Sequence, residues 1–268
     1  ATAGEAIGKP VYALIYAPLM QTCGGDEIIR SFDKATGAIP LFGTVTVDHL
    51  STYETSQTIL NGKAYATNAA FVAVYNAPLP TMRIISVDFT KVKRSKAIIT
   101  SSERNVLKTI NGIPAIDYLE QAGYPRDLMK AGTGGAPILI DYCDGSEPIA
   151  RTVFGTTPEE YIFSGGDIQE GGAISVGILN ADEVTTTAEN LLKLIEADKH
   201  AGLLMYSCLA RYLTLGDKKA SEAERVNKVT NGAPYAYAVS GGEICPQKDG
   251  KGVWHNRFHN FTLVVCEF

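Results

Sequence analysis

Two short motifs late in the chain carry the groups best suited to chemistry. Cys208 and Arg211 form Cys-x-x-Arg just after the apolar run 202–206, and Gly241-Gly242-Glu243 follows the run 235–240. Ligands in an open α/β sheet settle outside the carboxyl ends of strands, so both motifs are expected at such ends. Arg211 could grip a carboxylate there with its planar fork. Glu243 could meet an ammonium, and the two glycines let backbone N–H groups come close to a ligand. Opposite charges on neighbouring strand ends would suit an amino acid zwitterion. The structural alternatives are Cys208 as a small buried hydrophobe, Arg211 in a surface ion pair and Glu243 solvated at a tight turn.

A second cluster, Cys245 with His255-Asn256-Arg257-Phe258-His259-Asn260, places three groups that titrate near neutrality within fifteen residues. Cys245 and His255-x-x-x-His259 offer three metal ligands, but neither a cysteine pair nor HExxH accompanies them, so no metal and no cofactor is assigned. Cysteine–histidine catalysis by Cys208 or Cys245 with His259 is conceivable on residue type. It lacks a readable oxyanion motif, and no catalytic residue is assigned. His259 and Asn260 either contact a ligand or tie down the connection 244–257 through side chain to backbone bonds. Glycine pairs at 24–25, 134–135, 165–166 and 171–172 form no phosphate loop, since no Lys-Ser/Thr or GxGxxG goes with them.

These groups need a scaffold to hold them. Continuous apolar runs at 11–16 and 202–206 read as strands buried on both faces, and 39–47 and 69–75 as further strands. Helices are expected over 26–35, over 115–121 behind Pro114, over 185–198 with Thr187 as its cap, and over 220–229. Residues 98–110 read as a hairpin, 137–179 as short strands between glycine turns, and 132–135 as a hinge. Strands 235–240 and 261–266 are joined by a polar connection that holds the second cluster.

Two parts of the chain repeat one order: residues 4–75 and 188–268 each read helix, strand, turn with a cysteine (Cys23, Cys208), helix, strand, acidic residue (Asp48, Glu243), long connection, strand. The expectation is an α/β fold, with α+β as the alternative: two related helix–strand units, mixed sheets and an internal pseudo-duplication. The first copy holds His49 and nothing like Phe-His-Asn, so the polar cluster is a specialisation of the second.

The chain has 268 residues, and its net charge of −5 argues against a nucleic-acid surface, which normally shows a basic face. Its apolar runs are too short for a bilayer. Five cysteines, an odd number without CxxC, suit free thiols in a reducing, cytoplasmic compartment. Ala1 opens the sequence in place of a methionine, and the start is expected to be truncated.

The C-terminal half resembles the FIST C-terminal domain in Pro114-Ala115 with AIDYLE, Arg151 after an Asp-Gly turn, MYSCLAR, SGGEICP and FHNFTL. Residues 11–75, with LIYAP and PLFGTVT, resemble part of the FIST N-terminal domain. Leu209-Ala210 stands where the family has a small residue after the cysteine of Cys-x-x-Arg. The resemblance implies an N-terminal-like domain at 1–112 and a C-terminal-like domain at 113–268. It also implies a sensory module of signal-transduction proteins that binds a small ligand such as an amino acid, without catalysis. The expected ligand set is Cys208, Arg211, Gly241, Gly242, Glu243, His259 and Asn260, with Arg151 as an added contact. A signalling output domain or partner protein would read the bound state. The alternatives are an enzyme with a cysteine nucleophile and a protein-recruiting scaffold.

Overall fold

The computed structural model describes residues 8–20, 23–48, 55–132, 136–178, 180–195, 200–230 and 232–268. Most of the expected N-terminal helix tail, the start of the turn at Gln21, His49, the hinge glycines 134–135 and the end of the helix expected over 185–198 lie outside them. The first unit runs β1 (Tyr12–Pro18), α1 (Gly25–Thr36), β2 (Leu41–Thr46), β3 (Thr58–Leu60), β4 (Lys63–Tyr65), β5 (Ala70–Val74) and β6 (Thr81–Ile85). A middle section follows: β7 (Ile99–Glu103), β8 (Val106–Ile110), β9 (Ile113–Pro114), α2 (Ala115–Gln121), α3 (Arg126–Ala131), β10 (Ile138–Asp141), β11 (Ile149–Arg151), β12 (Val153–Thr156), β13 (Ile162–Ser164) and β14 (Ala173–Val176). The second unit comprises α4 (Ala181–Leu192), β15 (Leu203–Cys208), α5 (Leu209–Thr214), a 3-10 turn at Gly216–Lys218, α6 (Ser221–Thr230), β16 (Tyr235–Ser240), β17 (Gly242–Lys248), β18 (Trp254–His259) and β19 (Leu263–Glu267).

The repeat read in the sequence is a repeat of topology. β1 pairs parallel with β2 and antiparallel with β5, while β15 pairs parallel with β16 and antiparallel with β19. Helices fill both parallel crossovers, as such connections require. Each unit then gives strands to the other's sheet. β6 adds to β19, making the order β16-β15-β19-β6, and β17 adds to β2, making β18-β17-β2-β1-β5.

The two sheets pack face to face through Leu14, Tyr16 and Phe42 on one side and Leu204, Tyr206 and Val264 on the other. Alternate residues face outward. Ala13, Ile15, Leu41 and Val45 lie under α1, and Leu203, Met205, Leu263 and Val265 lie under α4 and α6. The result is four layers, helix–sheet–sheet–helix. Strands covered on both faces have no polar side, which is why their sequences are continuously apolar.

In the middle section, the sheet β12-β13-β8-β7 and the sheet β11-β10-β14 close with α2 and α3 around Ile99, Leu107, Leu119, Met129, Ile138 and Ile174. The division expected at 112/113 falls between β8 and β9, which pair with each other in one sheet. Turn chemistry is plain at Asn61-Gly62 and Asn111-Gly112. Both residues of each pair have positive φ (52° and 75°, 50° and 80°), the conformation that two-residue hairpin turns demand.

Two expectations are corrected. The helix expected from 185 starts at Ala181, capped by Asn180, whose side chain accepts the Glu183 N–H at 2.9 Å. Thr187 sits inside it with its hydroxyl on the Glu183 carbonyl, 2.7 Å. The polar connection 244–257 is mostly the hairpin β17–β18, paired from Glu243↔His259 to Lys248↔Trp254. Pro246 lies beyond the stretch where β17 pairs with β2, so its missing N–H breaks no bond on that side.

Candidate ligand site

A cleft of about 620 Å³ opens where the first turns of α1 face the middle section. Leu19, Met20, Cys23, Asp26, Glu27 and Arg30 form one wall. Across from them stand Arg104 and Asn105 of the β7–β8 turn, Phe154 of β12, Phe163 of β13, and Gly165, Gly166 and Asp167. Phe258 of β18 also lines it and is 2% exposed. The start of α1 lies so close to this ring that a Cβ on Gly25 would come within 2.4 Å of Phe258 Cδ2. A Cβ on Gly242 would come within 2.1 Å of Cζ of the same ring.

Three ion pairs cross from α1 to the middle section. Arg30 pairs with Asp167, Arg104 lies 3.5 Å from Glu27, and Arg151 lies 3.3 Å from Asp26. Arg30 and Arg104 remain open to solvent, with side chains 55% and 69% exposed, so these two bridges can exchange partners cheaply.

Arg151 is fully buried behind the wall. Nη1 donates to the Phe258 carbonyl at 2.6 Å, Nε to the Asp167 carbonyl at 3.1 Å, and Nη2 to Asp26 and the Tyr142 hydroxyl. Burial opposes the charge on Arg151, but Asp26, Tyr142 and Asp167 outweigh it and keep the guanidinium ionised. Asp26 Oδ2 accepts the Asp167 N–H at 2.8 Å. Burial raises the Asp26 carboxyl while Arg151 and that N–H pull it back. The Gly-Gly-Asp at 24–26 therefore docks on the Gly-Gly-Asp at 165–167, and both glycine pairs border the cleft.

Of the residues expected to hold a ligand, Arg151 and Asn260 stand directly behind this wall. Asn260 Oδ1 accepts the Thr152 N–H at 3.3 Å and would be 2.7 Å from a Cβ on Gly165. Gly242 touches the site only through Phe258. Gly241 donates its N–H to the Val45 carbonyl at 2.8 Å, joining the two sheets.

Arg211 is the main correction. It is neither in a surface pair nor at the cleft but fully buried between α4, α5 and α6. Nε and Nη2 both donate to Glu222 Oε2, at 3.1 and 2.7 Å. Nη2 also reaches the Val184 carbonyl, and Nη1 reaches the Ser86 carbonyl and Thr187 Oγ1. A guanidinium has five N–H groups, and these contacts use them all. None is left for a ligand carboxylate.

Glu243 is equally buried and accepts the Thr262 hydroxyl at 2.5 Å, with burial raising its pKa to about 8. A neutral acid there does not supply the anion expected for an ammonium. His259 donates Nε2–H to the Cys245 carbonyl at 3.0 Å, and burial lowers its pKa to about 3, so it stays neutral.

Cys208 and Cys245 are buried and their thiols are pushed up, by burial first and then by Glu243 and Cys266 respectively. A nucleophilic cysteine needs the opposite shift. His255 and His259 both lie on β18, four residues or about 13 Å apart at strand rise, too far to share an ion. Among the described residues no cluster of three or more His, Cys, Asp or Glu could hold a metal.

Sequence reasoning missed Asp26, Arg30, Arg104, Asp167, Phe154 and Phe163. The signal in the sequence is the repeated Gly-Gly-Asp at 24–26 and 165–167.

Comparison with known families finds the FIST N domain over residues 2–113 and the FIST C domain over residues 116–246. No curated protein matches the chain. Among the described residues no helix is long and apolar enough to cross a membrane.

Proposed function

The chain belongs to the FIST family, whose domains are sensory modules that bind small ligands, and we propose that this one senses an amino acid in the cleft beside α1. The observation that carries this is the paired charge along its walls: Arg30 and Arg104 as exposed cations, Asp26, Glu27 and Asp167 as anions. A ligand carboxylate takes a guanidinium from Asp167 or Glu27, and the ligand ammonium takes the carboxylate so released. The volume falls within the range of small-molecule pockets.

Binding then replaces bridges between α1 and the middle section. The relative position of these two parts becomes the signal, to be read by an attached output domain or a partner protein. Five free thiols support a reducing, cytoplasmic setting for such a sensor.

The test is a thermal-shift and calorimetric screen with single amino acids, repeated on Arg30→Ala with Arg104→Ala. A ligand at a hundred times its Kd adds about 2.7 kcal/mol of stability, and the double variant is expected to lose most of that shift. Unchanged binding by the double variant, or no stabilisation by any amino acid, overturns the proposal.

A further inference from the structure

Resting on that reading of the cleft, we infer that its ligand is an amino acid with a large apolar side chain, preferably aromatic. Phe154 and Phe163 sit side by side on the paired strands β12 and β13, ring centroids 6.4 Å apart and planes 44° to each other. Both remain about two-fifths exposed, 43% and 40%. Strand alternation sends Val153 and Ile162 into the core and turns the two rings out into the cleft. The register between β12 and β13 slips between Val153 and Gly155, and an irregularity of this kind is a usual way to re-aim a side chain at a site.

Leu19 and Met20 line the same cleft, and a thioether makes favourable contacts with aromatic rings. Two adjacent half-exposed phenylalanines in a concave site ask for an apolar group to cover them. Tilted rings receive another ring edge-to-face or offset, which is the ground for preferring an aromatic ligand.

The wall changes from apolar to charged over one peptide. A Cβ on Gly165 would lie 3.1 Å from Phe154 Cε2, and a Cβ on Gly166 would lie 2.9 Å from both the Arg151 guanidinium and Asp26 Oδ2, the charged pair behind the wall. The groups that would meet these two features must leave one small centre in different directions. The charged groups and the side chain of an α-amino acid diverge from a single carbon in that way. An acidic side chain would instead place a carboxylate against the two rings, and a small one would leave them wet.

The experiment is calorimetry with phenylalanine, leucine, alanine and aspartate on the wild type and on Phe154→Ala and Phe154→Leu. The wild type is expected to bind phenylalanine at least about tenfold more tightly than alanine or aspartate, a usual discrimination for hydrophobic pockets. Phe154→Ala removes that advantage, so that phenylalanine binds no more tightly than alanine, while Phe154→Leu retains binding of leucine. Phe154 is half-exposed, so both variants are expected to melt near the wild type, which the same samples report. If alanine or aspartate binds as tightly as phenylalanine, or Phe154→Ala keeps the full preference, the side-chain class is wrong although the site stands. If none of the four binds, both readings fall.

Discussion

Replacing Arg211 with alanine separates a ligand contact from a structural knot. The change strands the Glu222 carboxylate, 3% exposed, which among the described residues keeps the Tyr237 hydroxyl at 3.1 Å. The carbonyls of Ser86 and Val184 also lose a donor. Breaking a buried pair by removing one partner costs about 3–5 kcal/mol. At roughly 2–4 °C per kcal/mol for a chain of this size, Tm drops by about 6–20 °C. Thermal unfolding followed by circular dichroism reads it.

The combined variant Arg211→Met with Glu222→Leu removes both charges and is expected to recover most of the loss, since buried pairs replaced by apolar groups are often neutral. Below its transition, Arg211→Ala is expected to bind amino acids as the wild type does. Two results refute the reasoning: a Tm within about 2 °C of wild type, or a folded Arg211→Ala protein that no longer binds.

Stability against pH has two limbs. Burial holds His259 at about 3, below its ordinary 6.5, so the unfolded chain binds the proton first on acidification and stability falls as pH drops below 6.5. Burial holds Glu243 at about 8, above its ordinary 4.5, so the unfolded chain releases the proton first and stability falls as pH rises from 4.5 to 8. The two slopes oppose each other between about pH 4.5 and 6.5, where Tm is expected to be flattest. Glu243→Gln flattens the alkaline limb and His259→Gln the acid one; a profile that neither variant changes rules this out. Gly25→Ala places a Cβ 2.4 Å from Phe258 and is expected to cost about 1–3 kcal/mol as overpacking, reduced when Phe258 is also shortened to leucine. In thiol labelling of the folded protein, Cys23 and Cys143 react while Cys208, Cys245 and Cys266 wait for unfolding. An amino acid ligand protects Cys23 alone, and equal protection of Cys143 would place the binding elsewhere.

The layers were legible in the sequence because strands covered on both faces leave long apolar runs. VYALIY and GLLMY announce themselves as paired interior strands, and the repeated order announces two like units. The hairpin 242–259 was not legible, because its buried polar residues imitate a site. Asn256 accepts the Leu41 N–H at 2.8 Å and donates to the Ile39 carbonyl at 2.8 Å. His259, Asn260 and Glu243 likewise spend themselves on backbone groups or a neighbouring hydroxyl. A chain that must satisfy interior polar groups with side chains writes the same letters as one that recognises a ligand.

The two buried arginines make the point sharper. In one dimension Arg151 and Arg211 look alike, each following a strand or ending one. Arg211 finds its anion eleven residues away on the next helix, and that local pair closes a packing problem within one unit. Arg151 finds Asp26 across 125 residues, where two Gly-Gly-Asp turns from different parts of the chain meet. Only the second arrangement requires surfaces from two separately built pieces to stop short of full contact, and a cleft forms where they do. Which arginine stands beside the cleft is thus decided by the docking of α1 on the middle section, a contact no local motif encodes. The Gly-Gly-Asp repeat carries part of that information: each glycine pair lets a backbone approach its neighbour, and each aspartate supplies a group that bridges the junction.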